Sequence, residues 1–135
     1  METLMMKTKT LVPLLGALLL AACSTMSSMM GAPAPAKTAD GALVGAANGM
    51  TLYTFDRDTA GAGKSVCNGP CATNWPPLMA DDAAKANGDW SVVTRDDGKK
   101  QWAFKGKPLY FWAKDMKPGE KTGDGFNGVW HTATP

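Results

Sequence analysis

Gly49-Met50-Thr51-Leu52-Tyr53-Thr54-Phe55-Asp56-Arg57-Asp58 is echoed later in the chain by Gly106-Lys107-Pro108-Leu109-Tyr110-Phe111-Trp112-Ala113-Lys114-Asp115. Both stretches read Gly-x-x-Leu-Tyr-x-aromatic-x-x-Asp, and the echo continues to Lys64 and Lys121, each eleven residues beyond its tyrosine. Agreement at so many positions in register marks an internal repeat, a structural unit used twice. Within the first copy the strand period of two puts Tyr53 and Phe55 on one face and Leu52 and Thr54 on the other. The repeat therefore predicts two related halves, each a hairpin plus a Leu-Tyr-x-aromatic strand, around one shared core. It names no reaction and no ligand.

Working outward, the N-terminal end is a different kind of sequence. Lys7 and Lys9 precede the apolar run Leu11 to Leu20, which closes on Ala21-Ala22-Cys23. A positive n-region, a short apolar h-region and small residues before a cut describe a secretory signal over Met1–Ala22. The run is shorter than the roughly 20 apolar residues a membrane span needs. Leu20-Ala21-Ala22-Cys23 also resembles the lipobox of bacterial lipoproteins, which implies cleavage before Cys23, diacylation of that cysteine and a protein tethered to the membrane by lipid. Cys23–Asp40 is rich in Ser, Met, Ala and Pro, including Ala32-Pro33-Ala34-Pro35-Ala36, and reads as a disordered, partly stiffened linker. Its methionines Met26, Met29 and Met30 are soft ligands for Cu(I), but no histidine accompanies them and a spacer is the expected role. Loss of Glu2, Lys7 and Lys9 with the signal leaves the mature chain near +1. That balance argues against a nucleic-acid partner, which demands clustered Lys and Arg.

The remaining Gly41–Pro135 is one small domain by length. Asn48-Gly49 between apolar runs predicts a type I′ hairpin turn, since both residues accept positive φ. Asp56 and Asp58 end the first ribbon, where a carboxylate closes an Asx-turn onto the backbone. Cys67-Asn68-Gly69-Pro70-Cys71 sets two cysteines around a small turn in an exported chain, and a disulfide is expected. Trp75, before Pro76-Pro77, is pushed to extended backbone and reads as an aromatic plug beside the cystine. Asp81–Asn87 alone has modest helical character. Trp90–Thr94 and Lys100–Phe104 read as strands joined at Arg95-Asp96-Asp97-Gly98, Lys105–Pro108 as a tight connection, and Val129–Thr132 as a last strand. Short strands, many turns and five Trp, two Tyr and four Phe describe a small all-β domain of antiparallel strands.

The chain resembles the family of bacterial secreted-repeat lipoproteins marked by a Tyr-x4-Asp motif. The residues that carry the likeness are Tyr53 and Asp58, Tyr110 and Asp115, Gly63-Lys64-Ser65-x-Cys67, Cys71-Ala72-x-x-Trp75-Pro76-Pro77, Arg95-x-Asp97-Gly98-x-x-Gln101-Trp102 and Gly106-x-Pro108-Leu109-Tyr110. The resemblance implies an envelope or secreted location and a repeat architecture, and it implies no agreed activity.

Candidate sites follow from residue chemistry. Cys67 and Cys71 have three intervening residues rather than the two of thioredoxin-type enzymes, so a structural cystine is preferred over a redox pair. His131 is the sole histidine, and with the cysteines it falls short of a zinc set. Asp56, Asp58 and carbonyls near Gly61 lack the further carboxylates of a calcium loop. Asp58 and Asp115, related by the repeat, would resemble a glycosidase pair only if they faced each other; turn-closing acids are the expected role. Trp112 and Trp130 are the rings to stack on a glycan or peptide if their strands are exposed. No nucleophile elbow or phosphate loop occurs, so neither catalysis nor a cofactor is expected. The chain thus reads as a cell-envelope protein, lipid-anchored through Cys23 at the periplasmic face or the surface of the outer membrane. Its role is structural or binding, towards an envelope protein or glycan. The rivals are a binder of glycan, peptide or metal ion, and a thiol-disulfide or electron-transfer component using Cys67 and Cys71.

Overall fold

The computed structural model describes residues Ala34–Pro135, which form one compact unit. Cys23, Met26, Met29 and Met30 lie outside the described residues. The elements are short strands: β1 (Ala36–Ala39), β2 (Ala42–Gly45), β3 (Tyr53–Phe55), β4 (Met79–Ala80), β5 (Trp90–Thr94), β6 (Lys100–Phe104), β7 (Lys107–Pro108) and β8 (Trp130–Thr132). One five-residue helix, α1 (Pro70–Asn74), and a 3-10 turn at Phe126–Gly128 complete the described elements. Among the described residues no helix is long and apolar enough to cross a membrane.

Three local expectations need correction. The domain begins before Gly41, because β1 pairs antiparallel with β2 inside the stretch read as linker. Asp40 and Gly41 take φ of 50° and 75°. Asp-Gly with both residues left-handed is the type I′ chemistry of a two-residue hairpin. Asn48-Gly49 is not such a turn: only Gly49 has positive φ, and its N–H donates to the Gly45 carbonyl (2.8 Å) across a four-residue loop. The Asn48 side chain instead accepts from the Met50 N–H at 3.0 Å. Asp81–Asn87 forms no helix, and nearly all of it is exposed. With no apolar face to bury, its weak propensity has nothing to consolidate it. The helix instead starts just before the second cysteine and carries it, opened by Pro70 at its first turn, where the missing N–H costs nothing.

The two repeats are interlocked rather than stacked side by side. β8, from the second repeat, pairs with β3 of the first. β4, from the first, pairs with β6 of the second. The exchange is reciprocal down to single hydrogen bonds. Leu52 N donates to Leu43 O, Ala133 N to Leu52 O and Leu43 N to Ala133 O; the same ring recurs as Leu109 N to Trp102 O, Leu78 N to Leu109 O and Trp102 N to Leu78 O. Tyr53 and Tyr110 meet where the halves join, exchanging backbone bonds of 2.7 and 3.0 Å. Such self-matching contacts are what a two-fold axis produces.

The strand period then builds two cores. Leu52 and Leu109 point into an aliphatic cluster with Leu43, Leu78 and Ala133, flanked by Trp90, Trp102, Phe104 and Phe111. Tyr53 and Tyr110 point into an aromatic cluster with Trp75, Trp112, Trp130 and Cys67. Because each repeat's last strand completes the other's sheet, neither repeat buries its own apolar face. Fragments Ala34–Gly88 and Asp89–Pro135 should each be unfolded alone and regain a common fold on mixing, read by far-UV and near-UV circular dichroism. A folded single fragment would contradict the interlock.

Candidate functional site

The repeated tyrosine and aspartate bond across the halves, not within them. Tyr53 donates its phenol to Asp115 Oδ2 at 2.6 Å, and Tyr110 donates to Asp58 Oδ2 at 2.5 Å. Each carboxylate also closes its own loop: Asp58 Oδ1 accepts from Val66 N–H (2.8 Å) and Asp115 Oδ1 from Thr122 N–H (3.0 Å). The two acids therefore do not face each other, and neither lines an open cleft. Both tyrosines are fully buried. Burial, reinforced by hydrogen bonding to Asp115 and Asp58, pushes both phenols well above their ordinary value. Burial also raises Asp58, against the lowering effect of Tyr110, the Val66 N–H and the Arg95 charge.

Trp112 and Trp130, the candidate ligand contacts, are interior residues at 6% and 3% exposure. Trp130 stacks on Trp75 with centroids 3.8 Å apart and planes 4° from parallel. Phe55 stacks on the outer face of Trp130 (4.2 Å) and Trp112 on that of Trp75 (4.0 Å). Tyr53 and Tyr110 close the pile edge-on, against Trp75 and Trp130 respectively. Trp130 has both faces covered, and Trp112, at the end of the pile with Phe126 tilted against it, is buried, so neither presents a free face to a sugar. The plug expected at Trp75 is present, in the same cluster as the cystine.

Cys67 and Cys71 form the expected disulfide, with Cys67 fully buried. Arg95, which the sequence pattern placed only in a turn, is 5% exposed and holds this region together. Its guanidinium donates to Ser65 Oγ (3.0 Å), Gln101 Oε1 (2.7 Å) and the Cys67 carbonyl. Ser65 Oγ in turn meets the Tyr110 hydroxyl, so Arg95 and Asp58 are linked through two hydroxyls. A buried arginine at a hairpin tip leaves no periodic signal; only its place in the resemblance pointed to it.

The opening in the surface lies elsewhere. A cleft of about 370 Å³ runs between β3–β8 and the β6–β7 hairpin, lined by Thr54, Asp56, His131, Phe104, Lys105 and Lys107 over a floor of Leu109 and Ala133. His131 Nε2 and Asp56 Oδ2 are 2.7 Å apart, each side chain about half exposed. This engages Asp56, and with Asp58 turned inward the calcium-loop alternative loses its donors. Among the described residues no group of three His, Cys, Asp or Glu is placed to hold a metal.

Two segments, residues 34–79 and 91–134, match the model of one protein family, described as a secreted repeat of unknown function. The chain belongs to that family. No curated protein and no solved structure matches it. The matched segments are the two interlocked repeats, each ending at the strand it gives to the other, and the secreted repeat places the domain outside the cytoplasm, in the envelope or beyond.

Two measurements test the cross-repeat bonds. In a double-mutant cycle, Tyr53→Phe and Asp115→Ala should couple by about 1–3 kcal/mol, while Tyr53→Phe and Asp58→Ala should be nearly additive. The tyrosines also predict an alkaline limit. Their folded pKa values lie above the unfolded value of about 10, so their contribution is complete below that pH and is lost as pH rises towards the folded values. Above pH ~10 stability should fall by up to about 2.7 kcal/mol per pH unit for the pair. Absorbance near 295 nm should show no tyrosinate until the circular dichroism collapses; early titration of either phenol would refute the burial argument.

Proposed function

We propose that the chain is a lipid-anchored envelope protein whose domain is a non-catalytic binding module. The secreted-repeat family and the lipobox-like Leu20-Ala21-Ala22-Cys23 support the location and the anchor. The use of both repeat aspartates in buried phenol bonds supports a domain whose acids hold structure. A structural cystine is favoured over a redox pair because Cys67 is sealed under the aromatic cluster with its carbonyl held by Arg95.

One observation carries the binding role: the repeated Leu, Tyr and Trp positions of the two cores match, whereas the residues at the cleft differ. By the strand pairing, Thr54 corresponds to Phe111, Asp56 to Ala113 and His131 to Pro76. Phe104 corresponds to Gly45, Lys107 to Met50, and Lys105, just before Gly106, to Asn48, just before Gly49. Apart from Lys105, each polar residue of the cleft has an apolar counterpart. There the Phe111 ring fills the space above Gly45, 3.1 Å from where a Cβ would stand. One half is plugged and the other is open and polar.

The anchor is tested by metabolic labelling with palmitate. Wild-type protein should carry label and sediment with membranes, and Cys23→Ala should lose both; an unlabelled wild type, or a variant that stays membrane-bound, would remove the lipid anchor at Cys23 from this reading. Trp112→Ala is a poor probe of binding, since it opens the aromatic stack.

A further inference from the structure

We infer that the cleft beside His131 takes an acidic sugar, its carboxylate set against Lys105 and Lys107 and its hydroxyls against the His131–Asp56 pair. The inference rests on the binding-module reading and specifies its ligand. Lys105 and Lys107 are exposed, and neither has a carboxylate partner among the described residues. Flexible ammonium groups of this kind act as point charges for a carboxylate or phosphate. His131 and Asp56 add a donor and an acceptor within one hydrogen-bond length of each other. A hydroxyl, which both donates and accepts, can engage such a pair. The half-buried Phe104 ring supplies the apolar surface that a sugar's C–H face needs, with Leu109 and Ala133 sealed beneath it. The volume lies within the range of small-ligand sites, roughly 300–1,000 Å³.

A second observation comes from the backbone. Lys105 has φ of 50° beside Gly106 at 80°, the two left-handed positions of a type I′ turn. Asn, Asp or Gly meets that geometry at less cost than a long side chain does. The equivalent two-residue turn between β1 and β2 uses Asp40-Gly41. Retaining lysine at the strained position places a cation at the cleft rim, over the Phe104 ring at 5.3 Å. In the counterpart half the residue before Gly49, Asn48, is not left-handed, and neither Asn48 nor Met50 is a cation.

The test is a titration of the full, ¹⁵N-labelled chain in detergent micelles with a diglucuronate disaccharide, with cellobiose and inorganic phosphate as parallel probes. Diglucuronate should shift the amides of Lys105, Gly106, Lys107 and His131, more weakly as salt is raised. The double variant Lys105→Asn, Lys107→Gln keeps a residue that tolerates positive φ, so it should fold as wild type. It should bind about tenfold more weakly. Absence of cleft shifts with every probe overturns both the sugar and the binding-module reading. Equal binding of cellobiose preserves the module and overturns the acid assignment. Phosphate binding as tightly as diglucuronate overturns the sugar assignment, and unchanged affinity in a folded double variant removes the lysines' role.

Discussion

The fold depends on a phenol of one repeat bonding a carboxylate of the other, done twice. A Tyr hydroxyl buried without a partner costs a few kcal/mol, as does a buried carboxylate. Each repeat carries its tyrosine on the ribbon and its aspartate five residues on, in the loop that follows, and neither bonds the partner in its own repeat. Only the second repeat, turned about the Tyr53–Tyr110 contact, brings the right partner within 2.5–2.6 Å. The polar pairs therefore specify the relative placement of the halves, while the Trp75–Trp130 stack between them supplies buried area and dispersion. Aromatic pairs are worth about 0.5–1.5 kcal/mol beyond their area, so packing alone would tolerate a slipped register more readily than the hydrogen bonds do.

Glycine placement follows from the same interlock. Gly106 has φ of 80°, and a Cβ there would sit 2.7 Å from the Gly61 nitrogen, a backbone atom that cannot swing away. Its counterpart Gly49 has φ of 69° and lies against Pro118. The glycine heading each copy of the repeat is thus needed twice over: for a left-handed conformation and for the close approach of the other repeat's loop. The first requirement is local; the second exists only once both repeats are in place.

The legible part of the sequence was the part with a period or a local rule. Alternation at Leu52-Tyr53-Thr54-Phe55 assigned the two faces correctly, and the cysteine spacing gave the disulfide. Asp40-Gly41 carried a hairpin signal that the Ala-Pro composition around it obscured. The aspartates were read as closing turns, which they do, but their larger role was invisible because its partners lie 52 and 62 residues away. Trp112 and Trp130 misled for a related reason: flat rings suit both a sugar groove and an aromatic core, and only tertiary placement chooses. The cleft is the extreme case. Thr54, Asp56, Lys105 and His131 are unremarkable surface residues singly, and what joins them is an exchange of strands that no linear pattern encodes.

Duplication supplies a comparison that a single-copy fold lacks. Positions that both halves need in order to pack remain alike: Leu52 and Leu109, Tyr53 and Tyr110, Trp75 and Trp130, Asp58 and Asp115. Where a position is free of that requirement the halves can diverge, and two of the differences bear on the buried polar network and on the cleft. One is the β5–β6 hairpin, extended past its β1–β2 counterpart to deliver Arg95 onto the Cys67 carbonyl and Gln101. That difference has a stabilising account, since it satisfies buried acceptors. The other is the cleft, where polar side chains stand in place of a well-filled apolar contact. Thr54, His131 and Lys107 stand where the other half has Phe111, Pro76 and Met50, with Phe104 in place of Gly45, and these polar groups add only one exposed side-chain contact, His131 with Asp56, worth about 0–1 kcal/mol. Stability does not explain that difference between the halves; the ligand proposed for the cleft would.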